Sequence, residues 1–466
     1  MNKLNRIINI SWVYASSLAN VGAGLMLLPF VLHYLMPTEV GIWFVFITII
    51  GASQLIEMGF QATFTRNIAY IYEGAQSLKR VGVPDKNSTN KLNYSLIRQV
   101  ITSVKFIYLI FSAVGIVILV SISLFYVSEL IKTTEDHKYY QSAWLLFALA
   151  GILNISNGWI IGLLYGKGEY EQVSKVNVLS KTLLVVTSIV GLYLGYGLLS
   201  LGLSAIVGAF TTKLFLIRNL DEIALSSKIK FNYLNEEIKI LRILSFNAIK
   251  STVVHIGGFL IQRANIVIAT NFMGASESSS YSLSITLLLT LSGISMAICQ
   301  IQLPKITRLQ IRLHSDTLAI KYGETIVICS IIYLTGSFIL LCFGEDMLNL
   351  IGSNVKILDR PYFLLFIVIY FLEMNHSLAG SYLTTLNDVP FLRAALISGL
   401  VIVIGTFILI PKLGVIAIII MQGGVQFLYN NWKWPVEVSK KLKYNHYELI
   451  KIGSISVLKK LYLIKS

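Results

Sequence analysis

The stretch WVYASSLANVGAGLMLLPFVLHYLM, residues 12–36, contains no carboxylate, lysine or arginine. A helix crosses the hydrocarbon of a bilayer with about 20 mostly apolar residues, so this stretch is long enough to span. Lys3 and Arg6 precede it, as they would in a secretory signal peptide. It is nonetheless longer than an h-region, carries Asn20, Pro29 and His33, and offers no small-residue cleavage site, so it is expected to be a retained helix. Similar stretches recur almost to Trp432, and no soluble domain fits between them.

Composition agrees. Of 466 residues 55% are hydrophobic and 13% charged, against about 25% charged in a soluble domain. Apolar runs bounded by polar clusters give spans near 12–36, 40–60, 100–127, 141–164, 176–196 and 199–217, then 244–272, 279–303, 325–343, 361–386, 392–410 and 413–431. The fold class expected is an all-α polytopic membrane protein of about twelve transmembrane helices.

Charge orients these spans. With a cytoplasmic N-terminus the inside segments are Arg66–Lys105, Lys167–Lys181, Lys213–Lys250, Lys305–Lys321 and 433–465, together with Lys3, Arg6 and Arg393. They hold 32 of the 38 lysines and arginines. The outside connections hold Lys132, Lys138, Lys356, Arg360 and Lys412, and Arg263 lies within a span. This is the asymmetry of the positive-inside rule, and it places both termini in the cytoplasm. The net charge of +15 is therefore a topology signal rather than a nucleic-acid footprint. Lys440, Lys441 and Lys443 beside Trp432 and Trp434 suit anionic lipid headgroups.

Two six-helix sets each begin with a basic cytoplasmic segment. Their first hairpins look alike, LMPTEVGIWF at 35–44 and FMGASESSSY at 272–281. The expected organisation is two pseudo-symmetric six-helix bundles: a lobe at 1–217, a cytoplasmic linker at 218–243, a second lobe at 244–431 and a basic cytoplasmic tail at 432–466.

An ionisable residue at bilayer depth costs at least ~2.5 kcal/mol, so each is a functional candidate. Arg263 lies in VVHIGGFLIQRANIVIA, 253–269. At about 100° per residue His255, Gln262 and Asn265 share an arc of about 80°, with Arg263 about 80° beyond His255. A guanidinium there suits an anionic substrate such as a pyrophosphate. The alternative is an ion pair with Glu57 or Glu373. Glu57 in QLIEMGFQATFTR is a gating or coupling candidate, or else solvated or paired with Arg66. Glu373 and His376 in FLEMNHSLAG, with Asn375, either carry a coupling proton or form a buried network. Asn20 is expected to face a central substrate cleft between the lobes, beside Gly22, Gly24 and Pro29, which loosen a helix. Asn154, Asn157 and Trp159 add sugar-facing polarity or join helices.

GLLYGKGE at 162–169 lacks Walker spacing, and no GxSxG or HExxH occurs. Cys299, Cys329 and Cys342 have no metal-ligand spacing and are expected to be packing residues. No catalytic residues, metal or cofactor are expected.

LMPTEVGIWFVFITI at 35–49 and IEMGFQATFTRNIAYI at 56–71 carry a resemblance to the Wzx-type O-antigen and polysaccharide flippases of the MOP superfamily, relatives of the MATE exporters. Glu57, Gly59 and Arg66 match an acidic–Gly–basic pattern near the end of the second helix. The resemblance implies two six-helix bundles, a cationic cavity, and alternating-access export of an undecaprenyl pyrophosphate-linked glycan unit across a bacterial inner membrane for surface polysaccharide or lipopolysaccharide biosynthesis. It also implies a polysaccharide polymerase and a chain-length regulator as neighbours in that membrane. This sequence departs from the family picture in having one mid-helix arginine in its second lobe. Two other readings stay open. A MATE-like exporter of small cations would favour acidic groups over Arg263, and a glycan polymerase or ligase would need a larger outer loop than 126–140 or 343–360 supplies.

Overall fold

The structure is a computed structural model that describes residues 3–79, 92–132, 134, 136–226, 234–311, 315–386 and 389–465. Every regular element among them is a helix. Among the described residues ten helices are long and apolar enough to cross a membrane. Two of the twelve expected spans are absent from that set for physical reasons. The 40–60 stretch is divided at Gln54 into helices Pro37–Ser53 and Leu55–Tyr72. Ser53 Oγ donates back to Ile50 O at 2.7 Å, and Gln54 N–H closes a tight turn on Gly51 O, so local hydrogen bonds replace the helical ladder. The 413–431 stretch holds a shorter helix over 415–428, widened by a π-turn at Ile419–Gly423 and bounded by breaks at Gly414, φ 55°, and Tyr429, φ −139°.

Helix ends follow from residue chemistry. The Asn93 side chain accepts the Leu96 N–H and Asp136 accepts the Tyr139 N–H, satisfying amides that open the Tyr94–Ile122 and His137–Lys167 helices. Gly168, at φ 87°, ends the latter in the left-handed region, so the chain reverses at once into Tyr170–Tyr193.

The chain packs as two compact units, Met1–Leu35 with Val45–Ile256, and Met36–Phe44 with Gly257–Ser466. The division falls inside the Leu234–Gln262 helix, and the 218–243 segment clusters with the first unit; of that segment 227–233 lies outside the described residues. In both units large apolar side chains such as Phe125, Leu350 and Ile408 face outward, while Ser204, Asn265, Thr406 and Gln426 are buried. A surface of this kind suits lipid, where helices associate through close packing and polar contacts.

In the first unit Gly158, Gly162 and Gly166 form one face of the His137–Lys167 helix and lie against Glu57, Phe64 and Ile68 of the Leu55–Tyr72 helix. Gln61 Nε2 donates to Gly158 O at 3.3 Å and Thr65 Oγ1 to Gly162 O at 3.1 Å, one turn further on. In the second unit the two hairpins singled out by sequence meet, since Gly41 lies against the backbone of Ala275 and has no room for a side chain.

The 432–466 segment is more than a tail. Trp434, Pro435, Val438 and Leu442 bury one side of the Asn430–Leu442 helix. The His446–Lys465 helix packs along Ser315–Leu350. Cys299 and Cys329 are buried and Cys342 is exposed, all as free thiols.

Candidate functional site

Arg263 marks an interruption. The helix ending at Gln262 and the one starting at Ala264 meet there, with Arg263 at φ −127°, ψ −27°. The Ile266 N–H turns to Arg263 O at 3.0 Å, so Gln262 O loses its ordinary helical donor. The Tyr370 hydroxyl donates to that carbonyl at 3.4 Å, which keeps a non-helical bond satisfied at bilayer depth. Met273 is ten residues beyond Arg263, about 15 Å along a helix and half the thickness of the hydrocarbon. The guanidinium is therefore at mid-membrane depth, exposed, and without a carboxylate partner among the described residues. The ion pair with Glu373 weighed from sequence is not formed.

The interruption also undoes the single polar arc read from sequence, which presumed an unbroken helix. Gln262 is half-buried, His255 is exposed and belongs to the first unit, and Asn265 is wholly buried with both amide atoms unpartnered. Asn265 is a core residue rather than part of an open face.

Glu373, 2% exposed, accepts from Gln422 Nε2 at 2.9 Å, while its second oxygen has no partner. Gln422 projects from the π-turn, a distortion that places one residue out of helical register and recurs at functional sites. The proposed pairing of Glu373 with His376 does not occur. His376 Nδ1 is bonded to Asn431 Oδ1 at 2.8 Å, and Asn375 turns back to Phe371 O. In place of that pair a ladder of amides leads away from Glu373. Asn430 Nδ2 donates to Gln426 Oε1 and to Ser398 Oγ, each at 2.9 Å, and Trp434 Nε1 donates to Asn430 Oδ1. Gln422 Oε1 and Gln426 Nε2, an acceptor and a donor one turn apart, are both buried and unpartnered. Gln422, Gln426 and Asn430 were not singled out from sequence, although their four-residue spacing in MQGGVQFLYNNWKW is visible there.

In the first unit Glu57 is 9% exposed. Its carboxyl lies over Gly158, beside the Tyr108 ring, within a core that includes the edge-to-face rings Phe60, Tyr108 and Phe111. Arg66, nine residues along the same helix, is exposed, and the two form no ion pair. Asn157 is a helix-to-helix bond: its Nδ2 donates to Ala209 O at 2.9 Å at 1% exposure. Asn154 is exposed, and half-buried Trp159 carries Lys105 Nζ over its ring at 4.9 Å. Asn20 lines a cavity discussed below.

The fold is shared with solved membrane transporters, one of them described as a member of the MOP superfamily. The chain superposes on an inward-facing multidrug resistance MATE family transporter over 94% of its own length and 98% of the other's, with a TM-score of 0.64 and 14% identity. It superposes on the lipid II flippase MurJ in an inward closed conformation over 99% and 93%, with a TM-score of 0.66 and 12% identity. A further match is the MATE multidrug transporter DinF-BH in complex with R6G, over 93% and 95%, with a TM-score of 0.61 and 13% identity. No family model and no curated protein sequence matches the chain. It is a multi-pass membrane protein.

Proposed function

We propose that this chain is a flippase that carries an undecaprenyl pyrophosphate-linked oligosaccharide, an O-antigen or related surface polysaccharide unit, from the cytoplasmic to the outer leaflet of a bacterial inner membrane. The observation that supports it is Arg263. A fixed cation without a carboxylate partner at mid-membrane depth is costly to keep unless an anion visits it, and a guanidinium grips a diphosphate through paired N–H groups. The fold also serves drug exporters, but a small-cation exporter needs carboxylates open to its cargo, and Glu57 and Glu373 are 9% and 2% exposed. The chain makes and breaks no covalent bond in this reading. The headgroup engages Arg263 while the lipid tail stays in the bilayer, and the protein alternates between its two accessible states. Glu373, held on one oxygen by Gln422, takes up a proton or sodium ion and biases that exchange by binding one state more tightly.

The test is the lipid-linked glycan pool and the surface glycan of cells lacking the chain, restored with wild type, Arg263→Ala or Arg263→Lys. Surface glycan falls about tenfold or more with Arg263→Ala, while single lipid-linked units accumulate on the cytoplasmic face. Arg263→Lys, which keeps the charge without the paired donors, gives an intermediate level. Wild-type export with Arg263→Ala overturns the reading.

A further inference from the structure

A cavity of about 270 Å³ opens in the first unit between the Lys3–Tyr34 helix, the end of Leu55–Tyr72 and the turn at Gly168. Seven of its eight lining residues carry a hydroxyl or an amide, the eighth is Val13, and none is charged. Its construction follows from the turn. Reversal at Gly168 brings the Tyr165 and Tyr170 rings to 5.4 Å between centroids with 31° between planes. Asn177 Nδ2 donates to Ser16 Oγ at 2.7 Å and fastens the Lys3–Tyr34 helix onto Tyr170–Tyr193, leaving the Ser16 hydroxyl proton to point elsewhere. Ser17 and Thr65 are tied to backbone carbonyls and keep their lone pairs.

The remaining polar groups are uncommitted. Asn20, Tyr165, Tyr170 and Ser174 line the space and have no hydrogen-bond partner among the described residues, and Ser174 is only 2% exposed. These groups are open to the cavity and free to bond whatever fills it. The nearby cation is already engaged: Lys175 pairs with Glu171 at 2.6 Å and lies over the Trp12 ring at 5.6 Å.

We propose that this cavity binds one neutral sugar ring of the transported glycan, an inference that rests on the flippase reading. The Tyr165, Tyr170 and Ser174 hydroxyls both donate and accept, as a sugar hydroxyl does, while Ser17 and Thr65 offer acceptors. Asn20 adds two donors and an acceptor, and the tyrosine pair offers flat faces to the ring's C–H groups. The volume lies just under the roughly 300 Å³ at which small-molecule sites begin, enough for a single ring and too small for a full repeat unit. A sugar acid would bring a charge into a lining that carries none.

The test uses the full chain purified in detergent and saturation-transfer NMR with glucose, galactose, rhamnose, N-acetylglucosamine and glucuronate. At least one neutral sugar binds saturably and glucuronate does not. Asn20→Ala and Tyr165→Ala each weaken that binding about tenfold, the loss expected for one well-made contact, and Tyr165→Phe retains most of it. Asn20 is exposed, so Asn20→Ala reports on the cavity even where Tyr165→Ala fails to fold. Absence of saturable neutral-sugar binding, or binding unchanged in both alanine variants, overturns the inference. The two readings fail separately in cells. Normal export by Asn20→Ala and Tyr165→Ala with loss in Arg263→Ala removes the cavity's role and leaves the flippase. An intact surface glycan and an unchanged lipid-linked pool in cells lacking the chain remove the flippase itself.

Discussion

Gly323 of the Ser315–Leu350 helix lies backbone to backbone against Gly453 of the His446–Lys465 helix. A β-carbon on Gly323 would stand 3.2 Å from the Gly453 Cα and overlap the Leu449 carbonyl. The crossing puts Glu324, 3% exposed, within reach of Ser456 Oγ at 2.5 Å and of Lys460 Nζ, while Lys321 Nζ, one turn back on its own helix, lies at 2.7 Å. Gly453→Leu is expected to separate the helices at a cost of about 1–3 kcal/mol, the usual range for overpacking, and to leave Glu324 short of partners. Limited proteolysis reads this as faster cleavage within 446–465 than in the wild type.

Gly158 leaves no room for a side chain, because a β-carbon there would overlap the Glu57 carboxyl and stand 2.6 Å from Tyr108 Cε1. Gly158→Ala is expected to lower stability by about 1–3 kcal/mol. Gly24→Ala, whose β-carbon meets nothing within 4 Å, is expected to raise it by about 0.5–1 kcal/mol through the helix propensity of alanine. Thermal unfolding of the two variants in the same detergent separates the effects by sign.

Glu373→Gln keeps the shape of the side chain and removes its capacity to ionise. Export driven by an imposed ion gradient is expected to fall about tenfold or more, while exchange in the absence of a gradient is preserved. Gln422→Leu takes away the donor to Glu373 Oε1 and disturbs gradient-driven transport in the same direction. Equal loss of driven and undriven transport in Glu373→Gln would assign the residue to structure alone. Flux measured in proteoliposomes with and without the gradient decides between these.

Asp221 accepts from Lys167 Nζ at 2.5 Å and from the Ala224 N–H at 3.0 Å. Burial pushes its carboxyl up, but these donors outweigh burial and hold it below its ordinary value. A carboxyl depressed in the folded state stabilises above the unfolded pKa of about 3.9 and loses that contribution as pH falls through the folded value. With the Asp221 side chain 41% exposed, the pair contributes about 0–1 kcal/mol. Asp221→Asn is expected to lower the melting temperature slightly at neutral pH and to converge with the wild type below about pH 4.

Span positions were legible because an apolar run of the right length has one stable fate in lipid. The interruptions were less so. Gln54 and Arg263 break helices through local hydrogen bonds that compete with the ladder, and hydropathy does not register them. Arg263 itself stood out as a charge in an apolar stretch. The burial of Glu57 depends on Gly158, about one hundred positions away, so position along its own helix suggested an exposed end instead. The repeat Gly158, Gly162, Gly166 was readable as a helix-packing face. Asn20 lines a cavity within the first unit, where Tyr165 and Tyr170 become its neighbours only through the turn at Gly168.

The π-turn at Ile419–Gly423 has a consequence for how this protein tolerates change in length. A wide turn of this kind holds one more residue than an ordinary helical turn, so the residues after it, up to the break at Tyr429, are phased about 100° away from where a regular helix would put them. Gln426 faces the core because of that offset. Deleting one residue between 419 and 423 would regularise the helix, swing Gln426 outward and take from Asn430 the acceptor it bonds. Insertions and deletions in this short segment are therefore expected to be tolerated far less well than substitutions that preserve its length.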